Sequence, residues 1–239
     1  MQATRDADIV VNPTFVTPDP KLLDVMGGIG VVPALPDRPG VYGYAAEDKL
    51  SLAERTTIDL IVPEVYAGFG RRAARIAGQK HAASRATGLE LAVWDRHRCA
   101  LTAINDPTDT VDAWVAGPAA LLVAKTHKVH ERIAQIATRP DRLRPKDSGD
   151  VALLMMVTDP QDVAEAMTSL SSQHPEITPM VAKAAAWLIE MYANPTSILR
   201  RHASDALADR FDEAQVIAAM DAWPAAFREI TADFTATTL

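Results

Sequence analysis

Thr4-Arg5-Asp6-Ala7-Asp8-Ile9-Val10-Val11 decides how the first half of this chain is read. Asp8-Ile9-Val10-Val11 is short, β-branched and stopped by Pro13, which predicts a strand. Side chains two apart on a strand face the same way, about 7 Å apart along the backbone. Asp6 and Asp8 therefore share one face, and Ala7, Ile9 and Val11 are expected to enter a core from the other. Two carboxylates side by side offer the oxygen ligands that hard cations such as Mg²⁺ take. A pair of such ions can clamp both oxygens of an in-line phosphoryl displacement. The plain alternative is two solvated aspartates near a chain end.

A second strand, Ile58-Asp59-Leu60-Ile61-Val62, is bounded by Pro63 and interrupted by Asp59. Burying an ionised carboxylate is costly unless it is paired or metal-bound. Asp59 is thus either at the open end of the strand or a third acid facing Asp6 and Asp8. Thr57, Asp59 and Ile61 share one face, and Ile58, Leu60 and Val62 the other. Proline and glycine punctuate the segment between the two strands, which holds one short helix around Lys21–Met26. Within it, Met26-Gly27-Gly28-Ile29-Gly30 reads as a loop. Phe69 to Ala83, rich in Ala and Arg, predicts a helix, and 89–94 and 99–104 predict further strands.

From Gly117-Pro118 onward the texture changes to Ala/Leu-rich helical periods. Asp159-Pro160, Thr178-Pro179 and Asn194-Pro195 each read as a cap followed by proline. Helices are expected near 118–138, 147–157, 160–171, 179–193, 196–209 and 213–233. The fold class is α/β (α+β), with a mixed sheet in the N-terminal half followed by an all-α helical bundle. A seam near 115 gives domains 1–115 and 116–239.

At 239 residues, with 48% hydrophobic and 23% charged, the chain has an ordinary globular balance that excludes disorder. A single cysteine, Cys99, excludes an intrachain disulfide framework and points to a reducing compartment, with the cytosol as the default. No apolar run approaches the roughly 20 residues of a membrane helix, so no membrane partner is expected. The net charge of -7 is uneven. Residues 1–68 hold 5 Lys/Arg against 10 Asp/Glu, residues 69–146 hold 14 against 7, and residues 147–239 hold 5 against 14. A basic middle between acidic flanks suits an anionic substrate used with a metal, or else forms a solvated face.

In the helical half Lys125, Lys128 and Arg132 fall along one side of a helix, beside an apolar stripe of Leu122, Val129, Ile133 and Ile136. Cations at the rim of a core suit nucleotide phosphates, and a solvated face is the alternative. Asp147 reads as the cap of the next helix, with Asp150 in its first turn. Capping does not account for Lys146 or for Arg139, Arg142 and Arg144 ahead of it. His127 and His130 lack a zinc-binding order, Cys99 reads as core, and the four tryptophans read as packing.

Taken in order, Thr-Arg-Asp-Ala-Asp (4–8), Thr-Ile-Asp-Leu-Ile-Val-Pro (57–63), Leu-Leu-Val-Ala-Lys (121–125) through Arg132, and Arg-Pro-Lys-Asp-x-x-Asp (144–150) resemble a family. It is that of the AbiEii/AbiGii-type nucleotidyltransferase toxins, including the MenT-like enzymes, within the DNA polymerase β-like superfamily. The resemblance spans about residues 4–155. It implies that Asp6 and Asp8 hold Mg²⁺, that Asp59 is the third acid, and that Lys125 contacts the NTP. It also implies that Asp147 belongs to the last motif, and Lys128, Arg132 and Lys146 would line the nucleotide phosphates. Members move a nucleotide from an NTP to an acceptor, in some cases a tRNA end, and are commonly neutralised by a separately encoded antitoxin. Arg71, Arg72 and Arg75 could guide a polyanionic acceptor.

The family carries a Gly-Gly or Gly-Ser turn ahead of its Asp-x-Asp pair, whose backbone amides hold the triphosphate. Only five residues precede Asp6, so the expectation is an N-terminally truncated nucleotidyltransferase-like domain lacking that turn, either because the start codon is assigned too far downstream or because the gene product itself is truncated. Three readings follow. The first is a metal-dependent nucleotidyltransferase acting as a type IV toxin-antitoxin-like toxin. The second is a catalytically inactive remnant that acts only through partner binding. The third is a transferase with a small-molecule acceptor such as an antibiotic.

Overall fold

A computed structural model describes residues 6–35, 37–51, 54–104 and 106–236. Thr4 and Arg5 lie outside the described residues. The chain is mixed α/β, with a sheet in its N-terminal half and helices in its C-terminal half. It divides into two compact units, Met1–Leu89 and Glu90–Leu239.

The first unit is built on the strands β1 (Asp6–Val10), β2 (Val31–Pro33), β3 (Val41–Tyr44), β4 (Thr57–Pro63) and β5 (Ser84–Ala86), with the short helix α1 (Leu22–Gly28). The order is β1-β4-β3-β2. β4 runs parallel to β1 on one side, and on the other pairs antiparallel with β3 and then parallel with β5. β4 shows the alternation expected of it: Leu60 and Val62 are buried and Asp59 is half-buried. Met26, Val31, Tyr42 and Ile76 pack against that apolar face.

β1 departs from expectation. It lies at the edge of the sheet, Ala7 is exposed, and Ile9 is 46% exposed. Only Val11, just beyond the strand, packs partly on the core, so the edge position prevents the predicted burial of the alternate face.

The predicted helix at Phe69–Ala83 is absent, and the segment is a folded loop. Ala74 and Ile76 are buried while Arg75 between them is exposed, which is strand-like alternation. Ala77 and Gly78 both have positive φ, and Gln79 N–H donates to the Ile76 carbonyl at 2.7 Å, closing a tight hairpin turn that a helix could not contain. Residues 89–94 are likewise not a strand, since Leu91–Val93 forms a single 3₁₀ turn.

The second unit opens with the antiparallel hairpin β6 (Arg96–Ala103) and β7 (Asp106–Ala116). Six helices follow: α2 (Pro118–Ala134), α3 (Pro145–Val157), α4 (Pro160–Gln173), α5 (Thr178–Ala193), α6 (Ile198–Leu207) and α7 (Glu213–Ala236). Proline begins α2, α3 and α4 at the position whose missing N–H costs nothing. Asp159 caps α4, accepting from Gln161 N–H at 2.8 Å. For α6 the cap is Ser197 rather than Asn194, whose side chain instead accepts from Thr196 N–H. Leu122, Val151, Met167, Leu188, Leu199 and Phe227, one from each helix, are all buried. The hairpin groups with the helices, so the division falls at 89/90, ahead of the seam read from sequence. Among the described residues no helix is long and apolar enough to cross a membrane.

Candidate functional site

The candidate residues fall into three groups. The first is acidic. In the parallel β1/β4 register Asp8 stands directly opposite Asp59, and Asp6 opposite Thr57. Register partners in a parallel pair project to the same side, so Asp6, Asp8 and Asp59 share one face of the sheet. Asp59 is the least exposed of the three. Its carboxyl is raised above the ordinary aspartate value, first by burial and then by the negative charges of Asp8 and Asp6, with Arg38 opposing. Among the described residues no three His, Cys, Asp or Glu side chains are gathered closely enough to hold an ion as they stand.

The second group lies on α2 and α3. All three cations of the α2 stripe face acids at the start of α3. Lys125 Nζ donates to Asp150 Oδ2 at 2.7 Å, Lys128 Nζ lies 3.5 Å from Asp147 Oδ1, and Arg132 binds Asp147 Oδ2. Asp147 is 4% exposed and also accepts from Arg144 N–H at 3.1 Å. It is therefore not the N-cap but the third residue of the helix, reaching back to the cap residue's amide. Two hydrogen bonds and a further ion pair on a buried carboxylate explain how the charge is tolerated there. Lys146, next to it, is exposed.

The third group is cationic and belongs to the folded loop of the first unit. Arg71, Arg72 and Arg75 are exposed, as are Lys80 and His81. Sequence reading singled out the three arginines but not Phe69, which is 88% exposed at the head of the same loop. Placing Phe69 on a helix hid it, because a helix of that composition would bury its aromatic residue.

The histidines of α2 serve packing. His130 stacks on Trp187 with ring centroids 3.6 Å apart, and His127 meets the same ring edge-on at 5.1 Å. His127 Nε2 also lies 3.0 Å from the Met180 carbonyl, and burial pulls its imidazole below the usual value. Cys99 is a free, half-buried thiol on β6.

Compared with family models, curated proteins and solved structures, the chain matches none.

Proposed function

We propose that the chain is a metal-dependent nucleotidyltransferase of the AbiEii/AbiGii type, moving a nucleotide from an NTP to an acceptor. The observation that carries the reading is the register of β1 and β4, which sets Asp8 opposite Asp59 with Asp6 on the same face. The donor set is of the kind Mg²⁺ takes: three carboxylates on one face of the sheet, whose mutual repulsion a hard cation would relieve. Mg²⁺ held by Asp6, Asp8 and Asp59 would neutralise phosphate charge and ease deprotonation of an acceptor hydroxyl.

The chain's own groups would do the remaining work. Lys125 would stabilise charge developing on the NTP phosphates, exchanging Asp150 for the substrate, and Lys128 and Lys146 would add to that field. Asp147 acts through others, holding Arg132 and Lys128 in place. A tRNA end as acceptor, a separately encoded antitoxin and a cytosolic setting belong to the same proposal.

A binding-only role is the second reading. It is favoured by the ion pairs that already neutralise Lys125 and Arg132. One assay separates the readings: labelled NTP is incubated with total RNA and, in parallel, with aminoglycosides, using wild type and Asp8→Ala. Transfer that Asp8→Ala abolishes supports catalysis, and the recipient names the acceptor class. Transfer unchanged in Asp8→Ala, or none in wild type, contradicts it.

A further inference from the structure

From Val65 to Leu89 the sequence contains no Asp or Glu and five Lys or Arg residues. Arg85 is held by Glu64 at 2.6 Å and by the Gly70 carbonyl. The other four, Arg71, Arg72, Arg75 and Lys80, are exposed, and among the described residues none of their side chains makes a hydrogen bond or ion pair. Phe69 beside them is almost wholly uncovered. An exposed phenylalanine forgoes hydrophobic stabilisation, and clustered unpaired cations repel one another.

The backbone that carries these groups is fixed. Tyr42 Oη, fully buried, donates to the Ala82 carbonyl at 2.7 Å. Ala74 N–H donates to Ala83 at 2.9 Å, Arg75 N–H to Ala67 at 3.1 Å and Arg85 N–H to Arg72 at 3.1 Å. Gly68, with φ of +68°, lets the chain turn so that the aliphatic stem of Arg75 packs beside it. With the backbone tied in this way, the ordering that binding requires falls on the ring and the four cationic side chains.

We propose that Gly68–Ala83 is a binding surface for single-stranded nucleic acid. Phe69 stacks on an unpaired base, and Arg71, Arg72, Arg75 and Lys80 contact successive phosphates. One exposed ring beside a group of cations suits an unpaired base and the phosphates that flank it. A duplex keeps its bases stacked internally and leaves Phe69 without a partner. The inference deepens the acceptor role given to Arg71, Arg72 and Arg75 in the transferase reading and adds Phe69 and Lys80 to it, and it is tested apart from catalysis because this binding needs neither NTP nor Mg²⁺.

Fluorescence anisotropy on the full chain tests it, with a labelled uridine oligonucleotide, a labelled RNA duplex, heparin and anionic vesicles as probes. The single strand is expected to bind most tightly, with affinity falling as salt rises. Phe69→Ala should weaken single-strand binding on the order of tenfold while leaving heparin binding and the salt slope unchanged. Arg71→Ser combined with Arg72→Ser should weaken both and flatten the slope by about 0.7 per phosphate contact removed. All these side chains are exposed, and thermal melting verifies that the variants fold. Absence of single-strand binding, equal or tighter binding of duplex, heparin or vesicles, or an unaffected Phe69→Ala overturns the proposal.

Discussion

Asp59 is partly buried and has two carboxylates beside it, so it holds its proton more readily than an unfolded aspartate. The native state binds more protons between the ordinary aspartate pKa and the raised one. Stability therefore falls as pH rises through that window, and the penalty is complete above it. Asp59→Asn is expected to stabilise the protein at neutral pH, with the gain fading as pH drops below the usual aspartate range, measured by denaturant unfolding at several pH values. Asp147 is buried with ion-pair partners. Removing it in Asp147→Ala leaves Arg132 and Lys128 without their counter-ion, and a loss of about 3–5 kcal/mol is expected from urea unfolding. Both residues were legible beforehand, Asp59 as a charge breaking an apolar run and Asp147 at a helix start. The partners of Asp147 were not, because nothing in sequence says that the cations of α2 face α3.

At the scale of elements, what was legible followed local rules. The six helices of the second unit appear near their predicted bounds, since proline or a cap residue marks where α2 to α6 begin. The helix read over Phe69–Ala83 failed because Ala and Arg have high helix propensity wherever they stand. There the tertiary burial of Ala74, Ile76, Ala82 and Ala83 outweighed propensity. β1 is present, but the predicted burial of Ala7 and Ile9 is not, because edge position is a property of the sheet and not of the strand. A glycine inside α3 illustrates the same dependence. A Cβ on Gly149 would come within 2.7 Å of the Ala206 side-chain carbon, so glycine at an unfavourable helix position lets α6 approach. Gly149→Val is expected to cost about 1–3 kcal/mol by overpacking, seen as a lowered urea midpoint with unchanged m-value.

Over the whole molecule, the sequence displays a strand-rich half and a helical half, and the structure has both. It does not display that the β6–β7 hairpin groups with the helices, since hairpin strands read alike wherever they dock. The acids of the candidate site belong to the first unit and the cations of α2 to the second, so the metal claim can be examined through Asp6, Asp8 and Asp59 alone. A cation that binds the native state raises its stability by mass action. The direct measurement is Mg²⁺ binding by isothermal calorimetry, with and without a non-hydrolysable NTP, on wild type, Asp8→Asn and Asp59→Asn. The account predicts saturable Mg²⁺ uptake by wild type, strengthened by the nucleotide and lost in both variants. Uptake that survives in the variants, or a wild type that takes up no Mg²⁺, would contradict it.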